Sequence, residues 1–170
     1  MIKINKWQER HFQRAKTVAS WSKDDSTKVG CVSVVEGKYQ IMDGYNGLPD
    51  YLNDDDITYW QRPQKYEYVD HAEANMVDKL HKFNINLHSY DLYMLWFPCP
   101  NCMSRLIASN CRNIFCNLKN HKLNKSEEYK DKFKISFTKA VKAGVKVYYT
   151  VDEKTLEVMD FNKLNTLLND

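Results

Sequence analysis

Apolar residues recur at helical spacing between positions 5 and 21, where Trp7, Phe12, Ala15, Val18 and Ala19 fall on one side. The pattern breaks in SKDDSTKVG (22–30), which is loop chemistry. It resumes in CVSVV (31–35), the turn EGK and YQIMDGY (39–45), a predicted β-hairpin. Residues 46 to 69 are polar and aromatic, with NDDD at 53–56 and prolines at 49 and 63. A connection that long in a compact domain implies a functional or partly disordered loop. In HAEANMVDKLHKF (71–83) the stripe Ala72, Met76, Val77, Leu80 and Phe83 predicts an amphipathic helix. YDLYMLWF (90–97) is a continuous apolar run, as in a strand buried on both faces. PCPNCMSRLIAS (98–109) opens a further helix, NIFCNL (113–118) reads as a strand, a helix is expected over 126–143, and VKVYYT (145–150) follows as a strand. The tail adds a short strand around Leu156 to Val158 and a last helical turn. Helices alternating with strands from residue 71 onward imply crossover units with a parallel component, and the hairpin adds antiparallel pairing. The expectation is an α/β fold: one domain over 1–170, its mixed sheet covered by helices on both faces.

Hydrophobic residues are 43% of the chain and charged residues 28%, which places it among ordinary globular proteins. No apolar run is long enough to span a membrane, and MIKINKWQERHFQR is too polar for a signal peptide, so a cytoplasmic location is expected. A net charge of +3 suits a small anionic ligand better than a nucleic acid. The basic positions from Lys119 to Lys134 read as a solvated face, and Arg105 as a surface ion-pair partner. Five cysteines are an odd number, and an intracellular chain of this size needs no disulfide. Cys31, Cys111 and Cys116 alternate with apolar neighbours and read as buried thiols. Trp60 and Trp96 read as core or pocket wall.

Two helix starts carry the candidate chemistry. Cys99 and Cys102, two residues apart after Pro98, lie where free amides and the helix dipole favour thiolates. Alone, that pair fits a redox motif, half of a four-cysteine zinc site, or packing. His71 adds a third ligand type, and no second close pair supplies a fourth. Three protein ligands and an open position are what catalytic zinc requires. Glu73, two residues from His71, can then reach a zinc-bound water as general acid/base without binding the metal itself. H-x-E followed by P-C-x-x-C is the recognised signature of zinc deaminases.

At this point the chain resembles the deoxycytidylate (dCMP) deaminase family within the cytidine deaminase-like zinc enzymes, most closely its eukaryotic and phage-type members. The resemblance rests on SKDDSTKVG (22–30), GYNGLP (44–49), WQRPQKYEYV (60–69), HAEAN (71–75) and FPCPNC (97–102). It implies a three-layer αβα sandwich with a five-stranded mixed sheet and hydrolysis of dCMP to dUMP and ammonia, feeding dTMP synthesis. It implies zinc on His71, Cys99 and Cys102, with Glu73 shuttling protons to N3 and the leaving amine. It also implies a substrate set of Asn46 on the sugar, Asn75, and Lys65, Tyr66 and Tyr68 near the phosphate, with Arg62 beside them. An effector site for dCTP or dTTP with Mg2+ would involve Lys23, Gly44, Tyr45, Asn46 and Gly47, the GYNG segment itself reading as a positive-φ turn. Trp21, Asp25 and Asp50 depart from the eukaryotic pattern in ways that remove positive charge from that effector site. A homo-hexamer is implied as well. The same chemistry on dCTP, a nucleoside or a nucleic-acid base, and a non-catalytic nucleotide sensor, are the alternative readings.

Overall fold

The structure, a computed structural model, describes residues 1–118 and 126–169, so the lysine-rich stretch 119–125 lies outside the described residues. In chain order the elements are β1 (Ile2–Lys3), α1 (Lys6–Ala19), β2 (Gly30–Val35), β3 (Tyr39–Tyr45), α2 (Lys65–Tyr68), α3 (Ala72–Lys82) and β4 (Tyr90–Met94). They continue with α4 (Pro100–Ala108), β5 (Cys111–Cys116), α5 (Glu127–Lys142), β6 (Lys146–Thr150), β7 (Thr155–Val158) and α6 (Phe161–Asn169). No described helix is long and apolar enough to cross a membrane.

All the strands form one mixed sheet in the order β1-β7-β6-β5-β4-β2-β3. β4, β5 and β6 run parallel, joined by crossovers through α4 and α5, and every other pair is antiparallel. Strand alternation sorts the core into two halves. Cys31, Leu92, Met94, Ile114, Cys116 and Val147 meet α3, α4, α5 and α6 on one face. Val32, Val34, Tyr93 and Phe115 meet Phe12 and Val18 of α1 on the other. Cys31, Cys111 and Cys116 are buried free thiols within the first half.

The sheet has seven strands rather than five. The two extra strands lie at one edge, where the tail strand β7 pairs with β6 and then with β1. A strand of two residues such as β1 carries no periodicity from which it could be read. The apolar run at 90–97 is a strand only to Met94. Beyond it Trp96 and buried Phe97 leave the sheet on the way to Pro98 and the start of α4. Phe83 lies just past the end of α3 and is exposed, so it is not part of the buried stripe.

The GYNG segment also departs from expectation, because the positive-φ glycines are Gly37 and Gly144 and neither Gly44 nor Gly47 is among them. Gly44 ends β3 against α3. A Cβ there would run into the Ala72 carbonyl and come within 2.8 Å of the Met76 amide nitrogen. Its smallness therefore sets how closely the helix that begins beside His71 can approach the sheet. Gly44→Ala is expected to cost about 1–3 kcal/mol of stability by overpacking. Urea unfolding checks this, and an unchanged midpoint would show that α3 can retreat freely.

Candidate active site

His71 is the N-cap of α3, and Cys99 is the N-cap of α4 with Pro100 as the first helical residue. Proline suits that position because its missing N–H has no helical partner there. The Cys102 amide donates to Cys99 Sγ at 3.5 Å, and Cys102 Sγ lies 3.5 Å from His71 Nδ1. Helix α5 braces the turn from behind. Ser136 Oγ donates to the Pro98 carbonyl at 2.7 Å and Lys139 Nζ to the Pro100 carbonyl at 3.0 Å. The ligand atoms of His71, Cys99 and Cys102 thus all lie within 4.8 Å of one another, and among the described residues no fourth His, Cys, Asp or Glu joins them.

The electrostatics of the cluster favour one anionic sulfur. Hydrogen bonding from the Cys102 thiol, and then from His71, outweighs burial and brings Cys99 down to about 3. The same shared bond, with burial, holds the Cys102 thiol well above its ordinary value. His71, bonded to Cys99, is raised to about 9. An imidazole and two sulfurs at two helix N-termini are a donor set that suits zinc and leaves room for a non-protein ligand.

A cavity of about 400 Å³ opens over this cluster and includes His71, Glu73 and Cys99 in its lining. Val69, Trp96, Phe97 and Phe133 supply its apolar walls. Glu73, in the first turn of α3, is only 4% exposed, and burial pushes its carboxyl above the ordinary range. A carboxylate so placed is accessible chiefly from the cavity. Arg62, Tyr66, Tyr129 and Lys132 line the cavity and are themselves exposed, which puts them toward its opening. Arg62 lies 5.7 Å from the Tyr66 ring, and Lys132 pairs with Glu128 at 2.6 Å.

The structure distributes the sequence-derived candidates unevenly. Asn46 lines the cavity. Lys65 does too, but its ammonium is buried and lies 2.7 Å from Asp24, so its charge is already matched and not free for a phosphate. Asn75 points elsewhere, donating to the Tyr45 carbonyl at 2.9 Å and so tying α3 to β3. Tyr68 is outside the cavity, its exposed ring edge-on to Tyr59. Lys23 lines a second cavity and pairs with Asp55, while Gly44, Tyr45 and Gly47 line neither cavity. That second cavity carries Asp24, Asp25, Asp54 and Asp55 against two lysines, Lys23 and Lys65, each already paired. Arg105 forms the expected surface pair, with both oxygens of Asp78. Lys132 and Tyr129 were hidden in what reads as a solvated helix face. Their spacing to HAE or PCPNC carries no signal, because only the packing of α5 behind α4 brings them to the opening.

The model of the cytidine and deoxycytidylate deaminase zinc-binding region matches residues 5–118, more than half of the chain. The chain belongs to this family. A deaminase is a hydrolase that releases ammonia. Among its relatives are an uncharacterised deaminase of Aliivibrio fischeri, 36% identical over 66% of this chain and 74% of its own length, and the mouse deoxycytidylate deaminase. The mouse protein is 30% identical, with 94% of this chain and 88% of that protein covered. In fold, the deaminase is similar to the dCMP deaminase of cyanophage S-TIM5 solved with dCMP and dUMP. That likeness has a TM-score of 0.64 at 19% identity, over 84% of this chain and 96% of the other.

The Asp24–Lys65 pair yields a pH-dependent expectation. Burial opposes ionisation of Asp24, but the Lys65 ammonium and the Ser26 and Thr27 amides outweigh it and hold the carboxyl below its ordinary value. A lowered folded-state value means stability that is present above the ordinary carboxylate pKa and lost as pH falls through the folded one. Lys65→Met, which strands a buried carboxylate, is expected to cost about 3 kcal/mol at pH 7. The deficit should shrink toward pH 3, as read by urea unfolding of both proteins. A deficit constant across that range would show that the charge of Asp24 is not what Lys65 stabilises.

Proposed function

We propose that this deaminase hydrolyses dCMP to dUMP and ammonia, with zinc held by His71, Cys99 and Cys102 and with Glu73 as the proton carrier. One observation carries the reading: a buried carboxylate shares a nucleotide-sized cavity with a three-donor cluster that suits zinc. When bound there, zinc supplies Lewis acidity that brings the pKa of water toward neutrality. Glu73 takes a proton from the attacking water and delivers it to N3 of the pyrimidine. It then takes the remaining proton from the hydroxyl on C4 and passes it to the amine, so that the C–N bond breaks with release of ammonia as the C4 carbonyl forms. Trp96, Phe97, Val69 and Phe133 hold the base between apolar surfaces and exclude water from it. Asn46 faces the sugar. The deaminase relatives support the reaction, and the mouse deoxycytidylate deaminase supports the substrate.

The opening supplies what a monophosphate needs. Arg62 and Lys132 are exposed cations there, with Tyr66 and Tyr129 as hydroxyl donors. Charge-assisted bonds from such groups are roughly twice as strong as neutral ones. We assign the phosphate to Arg62 and Lys132 in preference to Lys65, because the Lys132–Glu128 pair is exposed and weakly held whereas the Lys65–Asp24 pair is buried. The resemblance also implies regulation by dCTP and dTTP with Mg2+. In the second cavity a triphosphate would meet four carboxylates and two paired lysines, so an effector would have to bring the divalent cation with it. Homo-hexameric assembly rests on the resemblance, and sedimentation analysis tests it.

Glu73→Gln is expected to keep one zinc per chain by elemental analysis and to lower turnover of dCMP by about 10²–10⁴-fold. His71→Ala and Cys99→Ser should lose the metal. Parental turnover by Glu73→Gln would remove Glu73 from the proton path. On the substrate side, deoxycytidine should be turned over with kcat/KM lower by roughly two orders of magnitude than dCMP, given a charge-assisted contribution of about 1.5–3 kcal/mol. Arg62→Ala and Lys132→Ala should narrow that gap; equal turnover of both compounds by the parent would exclude a phosphate-reading site.

A further inference from the structure

Asn46 sits in a hydrogen-bond arrangement with only one solution. Its Oδ1 accepts from the Val29 amide at 2.8 Å, and its Nδ2 donates to the Thr27 carbonyl at 2.9 Å and to Asp24 Oδ2 at 3.2 Å. An amide nitrogen of the backbone can only donate and a carbonyl oxygen can only accept, so the side chain cannot be turned over without breaking both backbone bonds. Its backbone is tied as well, with the Asn46 amide on the Val29 carbonyl at 3.2 Å and the Asn46 carbonyl accepting from Ser22 Oγ at 2.7 Å. Both donors of Asn46 are therefore spent, and what remains for the cavity is one acceptor lone pair on Oδ1.

Asp24 adds a side-chain contact to that orientation, and Lys65 holds Asp24 in place, both at the buried wall of the same cavity. Asp24 Oδ1 collects three donors, Lys65 Nζ at 2.7 Å, the Ser26 amide at 2.8 Å and the Thr27 amide at 3.1 Å. With one oxygen so fixed, the other must face Asn46. Lys65 keeps Asp24 ionised in a place where the Asp24 side chain is 5% and the Lys65 side chain 8% exposed, so water cannot take over either task. The pair joins loop 22–30 to α2, which are 41 residues apart in sequence.

We propose that Asp24 and Lys65 are positioning residues that lock Asn46 as an acceptor-only reader of a sugar hydroxyl. The inference rests on the dCMP reading. With the 5′ oxygen phosphorylated and no 2′ hydroxyl, the 3′ hydroxyl is the only sugar donor that dCMP can offer. A site built around such a bond rejects the analogue that lacks the group, because its acceptor is left unpaired.

The test compares kcat/KM for dCMP and for 2′,3′-dideoxy-CMP in the zinc-loaded parent, in Asp24→Asn and in Lys65→Met. In Asp24→Asn the introduced amide must keep its oxygen toward the three donors, which drives its NH2 group against the NH2 of Asn46. The parent should favour dCMP by roughly tenfold, the worth of one neutral hydrogen bond. Asp24→Asn should bring the ratio close to one, chiefly by raising KM for dCMP and with little effect on the dideoxy compound. Lys65→Met should move it in the same direction. Should either variant fail to fold, the double variant, in which no buried charge is left unmatched, gives the same comparison. A purely structural role would lower turnover of both compounds equally and leave the ratio intact, which would overturn the inference. Parental turnover of dCMP without hydroxyl discrimination would overturn it alone, whereas no parental turnover of dCMP would remove the substrate reading and the inference together.

Discussion

Two helix N-termini, those of α3 and α4, have to meet at one point, and the rest of the site is arranged around that meeting. The end of β3, the start of β2 and the end of β4 lie together at one edge of the sheet, through the Gly30–Tyr45 pairing and the Leu95 amide on the Gly30 carbonyl. α3 comes down against Gly44 and α4 leaves from β4 at that same edge. This is the carboxyl end of the parallel strands, where open α/β sheets place their ligands. Each helix contributes an N-cap side chain, His71 or Cys99, and a second group from its first turn, Glu73 as the second residue of α3 or Cys102 as the third of α4. The first-turn amides have no intrahelical carbonyl, and that of Cys102 donates to Cys99 Sγ, so the anionic sulfur and the carboxylate sit at helix ends that favour negative charge.

That arrangement separates two tasks that would otherwise compete. A carboxylate bound to metal would be a poor proton carrier, the role proposed for Glu73, and Glu73 stands outside the 4.8 Å cluster although only one residue lies between it and His71. Helical geometry explains the separation. His71 is in the extended conformation before the helix, with ψ of 155°, whereas Glu73 is already inside it. The two side chains therefore leave the backbone in different directions. Short sequence distance gives proximity, and the change of backbone conformation at the cap gives distinct roles.

Which parts of this were legible in the sequence follows from the range over which each is determined. The helix starts were, because caps and first turns are local and H-x-E with P-C-x-x-C marks both. The central strands were, because alternation and apolar runs report burial on one or two faces, although the run at 90–97 is strand only to Met94; Trp96, read as core or pocket wall, does line the cavity, with Phe97 beside it. β1 was not, since it is two residues long and its partner strand, β7, lies at the far end of the chain. Nor were the jobs of Lys65 and Asn75, whose residue types suited a ligand but whose partners, Asp24 and the Tyr45 carbonyl, are set by tertiary structure. Lys132 was invisible for the same reason in reverse: an ordinary surface lysine by sequence, it lines the cavity only because α5 braces α4.

The long polar segment between β3 and α3 is what converts the helix-start cluster into a selective site. It contributes Asn46 at its beginning and Arg62, Lys65, Tyr66 and Val69 near its end, all of them in the lining of one cavity. An untethered segment of that length would lose more entropy on ordering than a few polar contacts return. Buried anchors fix it at three places: Asn46 on Val29, Gly47 paired with Asp70, and Lys65 on Asp24. Arg62 and Tyr66 lie between those anchors and remain exposed, so their side chains are not held as the anchors are. The segment is thus buried and tethered along the cavity wall and exposed at the opening.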